Sequence, residues 1–534
     1  MLPRISNLLT ILGIFSISFC LTALPADIEL IPLPREKYLD KCKGAWLGQM
    51  IGVTFADRYE FQFNGIPILG PLEQWKPEDI KRAFPQDDLY VEMTFLETLE
   101  QKGINISYND AGKFFAESKY PLWHANKAGR ENVRNGIQPP FSGHPEYNSH
   151  ADDIDFQIES DLFGIICPGL PKEAQKIGKI FGSVMNYGDG LYGGLFFAGM
   201  YASAFFNEDI EKVVLSGLEC IPAESTYRKC IEDTIEGWRK NPENWLETWK
   251  FIEQKWQDDS DCIPGHPVNI DAKINGAYVV MGLLYGKGDL QKTLEIATRC
   301  GQDTDCNASS AGGILGCIKG FSNIEEQWKS YLNNVEDEKF LFTNYSWKTL
   351  ISACEKITKE IITHAGGKID NEIFYIPLQK ASPPPTLEQW IGKKETCIPP
   401  IPSTDMKKWG ENWRVKSCKK SSNVGVFIDD NTATPYLSLI QPDPNTPVII
   451  ESLAPIPQAK KLKVGVKIPK NGIEFSIRLR ADYKIIEDRK INSTNWTEIV
   501  FNISPYNNTT TVLTIEAFSS AENEPIQIKP PQYE

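Results

Sequence analysis

Between Arg299 and Gly320 the chain reads Arg-Cys-Gly-Gln-Asp-Thr-Asp-Cys-Asn-Ala-Ser-Ser-Ala-Gly-Gly-Ile-Leu-Gly-Cys-Ile-Lys-Gly. In a helix through this stretch Ala308, Ala311, Gly312, Gly313 and Gly316 leave a surface almost bare of side chains, suited to very close packing. A second bare stripe runs through Lys41-Cys42-Lys43-Gly44-Ala45-Trp46-Leu47-Gly48-Gln49-Met50-Ile51-Gly52, where Gly44, Gly48 and Gly52 recur every fourth residue. Such surfaces restrict the first part of the chain to helices whose backbones approach one another.

Asp303 and Asp305 open the first of these runs. Free N–H groups and the macrodipole favour carboxylates at a helix start, so the pair reads either as an N-cap with a neighbouring acid or as part of a shell for a hard divalent cation. The remaining ligands would come from Gln86-Asp87-Asp88, which precedes a helix over residues 89–99 marked by Val91, Phe95, Leu96 and Leu99. Four carboxylates carry a formal charge of about −4, which a partly buried site holds only with a cation or with protons.

Composition limits the rest. The 534 residues, 41% hydrophobic and 24% charged, suit a soluble protein of two or three domains. A net charge of −14 argues against binding a nucleic-acid backbone. Arg4, the apolar residues 8–23 and Leu24-Pro25-Ala26 read as a secretory signal peptide over residues 1–26, so the protein is expected to be secreted or periplasmic. The bulky Phe19 before Cys20 makes a poor lipobox, and no other stretch could span a bilayer. The chain has twelve cysteines, eleven after cleavage, and no CxxC. Cys220 with Cys230 and Cys397 with Cys418 could pair on spacing alone, and a zinc site is not expected. Sequons at Asn105, Asn307, Asn344, Asn492, Asn495, Asn502, Asn507 and Asn508 would accept glycans only in a eukaryotic secretory pathway.

Residues 123–161 are dense in polar groups, and three of the five histidines (His124, His144, His150) lie there. A surface loop with a helix cap accounts for them as well as a substrate loop does. Asn186-Tyr187-Gly188-Asp189-Gly190 suits a tight turn against a ligand or against a neighbouring helix. Helical patterning over 195–206, 275–285 and 289–299 makes residues 38–364 all-α. Consecutive prolines at 383–385 mark a linker, and beyond about Trp413 the apolar period becomes two, with strands expected over 423–428, 448–452, 462–468, 475–479, 498–503 and 511–517. The expected architecture is a helical domain over 27–365, a proline-containing linker over 366–412 and a β-sandwich over 413–534, jelly-roll-like in outline and either carbohydrate-binding or a structural appendage.

Both acidic motifs, in order and with the small-residue tail, resemble the ADP-ribosylglycohydrolase family. That family also opens on a glycine-striped helix followed by Gly-Asp-(x)n-Gly-(x)n-Glu. Here Gly52-Val53-Thr54-Phe55-Ala56-Asp57-Arg58-Tyr59-Glu60 keeps the Glu, while Val53 replaces the usual Asp. The resemblance implies hydrolysis of the C1'' glycosidic bond of an ADP-ribosyl group on a protein, nucleic acid or small molecule, with one or two Mg²⁺, or Mn²⁺, held by Asp87, Asp88, Asp303 and Asp305. It makes Glu60 and Asp303 the catalytic candidates. It makes Asn126, Gly129 and Arg130, then His150 and Asp152 in a Thr-His-like helix start, and Tyr187 and Gly188, candidate substrate-binding residues. Gln86 and Cys306 stand where relatives place hydroxyls, and a thiol is a poor ligand for Mg²⁺. Two other readings keep the fold: an extracellular glycosidase acting on a furanoside or other glycan, and a non-catalytic protein like the jellyfish lens crystallins or one that only binds carbohydrate.

Overall fold

The computed structural model describes residues 29–256, 270–388 and most of 401–534; the proposed signal peptide, Cys397, Asn507 and Asn508 lie outside the described residues. Helix α1 (Arg35–Ala56) and the Thr304–Lys319 helix pack antiparallel through the two bare stripes. A Cβ on Gly44 would lie 2.2 Å from the Gly316 oxygen, one on Gly48 2.0 Å from that of Gly312, and one on Gly52 2.1 Å from that of Ala308. These helices therefore touch backbone to backbone. Gly48→Ala is expected to cost about 1–3 kcal/mol in urea unfolding, because neither backbone can yield to the added methyl. Gly70→Ala, with nothing within 4 Å of its added carbon, serves as the neutral control.

The antiparallel pairing sends the end of α1 to the start of the Thr304–Lys319 helix. Thr304 Oγ1 donates to Ala56 O at 3.0 Å, Phe61 N to Gln302 O at 3.0 Å, and Gln302 N to Phe63 O at 3.0 Å. α2 (Asp87–Lys102), the Ala272–Gly286 helix and the Trp347–His364 helix complete much of the core, the first two each longer than the patterned segments 89–99 and 275–285 read from sequence. The domain is helical apart from a small antiparallel sheet in which Ile373–Ile376 pairs with both Ile31–Pro34 and Lys368–Ile369.

Residues 189–194 proved helical, as part of Asp189–Ala204. Gly190, Gly193 and Gly194 make room for neighbouring residues: a Cβ on Gly194 would lie 2.3 Å from the Phe156 ring. Only Gly188, at φ +56°, is a turn position. The cysteine pairing expected from spacing is corrected for one couple, since Cys220 and Cys230 are both free and buried. In that helical core they behave as small apolar side chains.

The C-terminal region forms two antiparallel sheets. One orders Lys484–Ile491, Phe475–Ala481, Leu513–Ser519, Val448–Ser452 and Trp413–Ser417; the other orders Thr497–Asn502, Lys461–Lys467, Pro525–Ile528, Pro435–Ile440 and Gly425–Ile428, with Gln532–Tyr533 also on Lys461–Lys467. Ile450, Leu479 and Ile515 from the first sheet share a core with Leu439, Val464, Phe501 and Ile526 from the second. The strands Trp413–Ser417, Pro435–Ile440, Lys484–Ile491, Pro525–Ile528 and Gln532–Tyr533 were not expected from the sequence, and two of them have a plain physical reason. Pro435–Ile440 ends in four consecutive buried residues, so it does not alternate. Lys484–Ile491 is a charged edge strand, paired on one side only.

Candidate metal centre and active site

A cavity of about 510 Å³ opens where several helix starts converge, lined among others by Glu60, Gln86, Asp87, His124, Asn126, Asp155, Asp303, Asp305 and Cys306. Asp87 and Asp88 occupy the first turn of α2, and Asp303 and Asp305 the N-cap and first turn of the Thr304–Lys319 helix. Carboxylates are drawn to both places by the helix dipoles. One oxygen each of Glu60, Asp303 and Asp305 lie within 4.8 Å of one another, and Asp88, Asp305 and the Cys306 sulfur form a second such group.

The burial of these acids is unusual. Asp88 is 1% exposed, and neither of its carboxylate oxygens has a hydrogen-bond partner of normal geometry; Asp303 Oδ1 and Asp305 Oδ1 are likewise unpartnered. Among the described residues lining the cavity there is no Lys or Arg. Burial, then neighbouring carboxylates, hold Asp88 and Asp303 well above the usual carboxylate range. Burial also lifts Asp305 to about 6. Glu60, open to solvent at the mouth, is pushed up to about 8 by burial against the wall and by Asp305 and Asp87. Buried carboxylate oxygens with few donors, packed against like charges, fit a divalent cation, and all of the candidate ligand atoms are hard oxygens except the Cys306 thiol. Burial and the adjacent Asp303 and Asp88 raise the thiol, so it stays protonated.

A pH dependence follows for the cation-free chain. A carboxyl raised on folding holds more protons folded than unfolded, so the stability it contributes is full below its ordinary value and is lost as pH rises through the folded one. For Glu60 that window runs from 4.5 to about 8. The melting temperature of the cation-free protein, taken as the difference from Glu60→Gln, is expected to fall across that window and to recover with saturating Mg²⁺. A difference flat in pH would contradict the assigned environment.

The substrate-loop residues divide. Asn126 is on the cavity wall: its N–H donates to Asp155 Oδ1 at 2.9 Å, its Nδ2 donates to Glu159, and its Oδ1 is left unpartnered. Gly129 instead packs on Val184, a Cβ there lying 2.5 Å from the Val184 oxygen. Arg130 turns away from the cavity, donating to Tyr120 O at 2.7 Å and Ser118 Oγ at 3.2 Å. His150 bonds Asp153 at 2.7 Å, and this bond, more than its burial, sets its pKa above the ordinary value. Asp152 accepts the Ala272 N–H through its backbone oxygen at 3.0 Å. Tyr187 stacks edge-on against His144, and Gly188 meets Glu388. Neither lines the cavity.

Asp155 was not singled out from the sequence, yet it grips the Ala125 and Asn126 N–H groups and, buried beside Asp153, is lifted to about 7. Tyr90, Trp123 and Phe61 also line the cavity. The run Asp152-Asp153-Ile154-Asp155 was the available signal, but an acidic helix start reads equally well as a solvated cap.

The site is thus an acid-walled cavity of candidate cation ligands set in a helical domain. The ADP-ribosylglycohydrolase family matches residues 34–364, more than half of the chain, and the chain belongs to that family. A solved structure described as an ADP-ribosylglycohydrolase-related protein complex is similar at 14% identity and TM-score 0.42, covering 61% of this chain and 99% of that one. No curated protein matches by sequence. Among the described residues no helix is long and apolar enough to cross a membrane.

Proposed function

We propose that this protein is a divalent-cation-dependent glycoside hydrolase that cleaves the C1'' bond of an ADP-ribosyl group or a related ribofuranoside, and that it acts outside the cytoplasm. The observation carrying this reading is the set of buried, unpartnered carboxylate oxygens on Asp303 and Asp305, which line the cavity, and on Asp88, grouped with Asp305 behind that lining, beside a Glu60 pushed up to about 8. Asp87, Asp88, Asp303 and Asp305 would hold the cation, with Glu60 and Gln86 at the edge of the shell. When bound, Mg²⁺ or Mn²⁺ would supply positive charge that orients the ribose diol and favours ionised carboxylates. Glu60 is the acid/base group: it stands on the open side of the cluster and can pass a proton between water and the leaving group as the C1'' bond breaks and the water oxygen replaces it. Asn126 Oδ1, unpartnered on the wall, would accept from a sugar hydroxyl.

A second reading, an uncharged furanoside or glycan, is favoured by the absence of Lys and Arg among the described lining residues, since a diphosphate would enter an acidic cavity without a cationic partner from the protein. Hydrolysis of ADP-ribosyl and aryl furanoside substrates with and without Mg²⁺ separates the two. No turnover of any of them with any divalent ion would leave the non-catalytic alternative.

Cys306 bears on the metal. Its protonated thiol sits where a hydroxyl would coordinate, so Cys306→Thr is expected to tighten Mg²⁺ binding several-fold by calorimetric titration and to reduce competition from Mn²⁺ and Zn²⁺. Unchanged affinity would mean that the thiol lies outside the shell.

A further inference from the structure

We propose that His124, His150 and Asp153 form a second cation site, for an imidazole-preferring divalent ion of which Zn²⁺ is the probe of choice. Asp153 Oδ2 lies 2.7 Å from His150 Nδ1 and 3.5 Å from His124 Nδ1, and the three ligand atoms fall within 4.8 Å of one another. Tetrahedral zinc, with bonds of about 2.0–2.2 Å, places its ligand atoms roughly 3.3 Å apart. The cluster is therefore assembled to within a small side-chain adjustment, and two imidazoles with one carboxylate leave a fourth position open.

The backbone around these groups is held in place. His124 has φ +41°, a conformation that L side chains rarely adopt, and such outliers persist where the surroundings over-determine them. Here the Asp155 carboxylate accepts from the next two N–H groups, Ala125 at 3.2 Å and Asn126 at 2.9 Å. His150 N donates to Asn148 Oδ1 at 2.9 Å, and Asp153 N donates to His150 O at 3.0 Å, closing the turn that carries the other two ligands. The Asp153 backbone also pairs with that of Asp271 in an isolated antiparallel bridge. Both imidazoles keep about a third of their surface exposed, so an ion can reach them, and His124 places the site on the wall of the acidic cavity.

The two clusters would sort ions by donor type: oxygen donors at the four aspartates suit Mg²⁺, whereas the imidazole pair suits a d-block ion. Cysteine spacing pointed to no zinc site, and this one uses none. It stands independently of the hydrolase reading.

The test uses the full chain carrying Asp88→Asn and Asp305→Asn, which disables the oxygen-donor cluster. Calorimetric titration is expected to give one Zn²⁺ per chain, weakened at least about 100-fold by His150→Gln or by His124→Asn, the latter chosen because Asn tolerates positive φ. Zinc-edge anomalous scattering from crystals of the unsubstituted protein, soaked in Zn²⁺, locates the ion directly should a variant fail to fold. No Zn²⁺ in the doubly substituted chain, undiminished binding in both histidine variants, or anomalous density only at the aspartates would overturn the proposal, leaving a His–Asp–His hydrogen-bonded cluster.

Discussion

Asp305→Asn is expected to weaken divalent-cation binding by at least about 10²-fold and to abolish hydrolysis, with the far-UV circular dichroism nearly unchanged. Loss of an outer partner of a metal ligand already costs 10- to 100-fold in affinity, and Asp305 would be a ligand itself, in both acidic groups that share the cavity. The substitution removes a charge without core volume. It also relieves repulsion on Asp88 and Asp303, so the cation-free chain should be no less stable than its parent. What disappears is the stabilisation by ion, about 2.7 kcal/mol at 100 times the dissociation constant for the parent. Asp303→Asn should behave alike. Wild-type turnover, or an undiminished thermal shift with Mg²⁺, in either variant would remove the site assignment.

Glu60→Gln should separate binding from chemistry. Glu60 has neighbours in the acidic group but stands open to solvent at the mouth, whereas Asp88, Asp303 and Asp305 are 4% exposed or less. Loss of an acid/base group typically costs 10²–10⁴-fold, so kcat is expected to fall by about 10²-fold or more while Mg²⁺ affinity changes little. The limb of the pH–rate profile belonging to Glu60 should vanish with it. If the cation and the activity are lost together, Glu60 is a ligand and the proton carrier lies elsewhere, with Asp155, lifted to about 7 on the same wall, next to examine.

The legible part of the site was the part written as contiguous motifs. Gln86-Asp87-Asp88 and Asp303-Thr304-Asp305 announce themselves because acids crowd two helix starts, and the glycine stripes because a period of four on one face has a simple packing meaning. His124 and Asp155 carried no comparable signal. A histidine after a tryptophan and an aspartate in an acidic run each have an ordinary surface explanation. Only the fold brings the Asp155 carboxylate onto the N–H groups following His124. For Arg130 and Gly129 the sequence and the fold point to different environments: a polar, glycine-containing stretch suggests a ligand, while the helix His124–Arg134 turns Arg130 toward Tyr120 and packs Gly129 on Val184.

By itself the sequence determined which helices could touch, which acids would need a counter-charge, and where helical periodicity gives way to alternation, because these are properties of local spacing and of charge. Tertiary structure alone decided that the two glycine stripes meet each other, antiparallel, with Gly48 against Gly312. That crossing carries Glu60 from the end of one helix to the aspartates at the start of another, more than 240 positions along the chain. Close approach of two backbones is a pairwise property, and neither stripe contains the identity or direction of its partner.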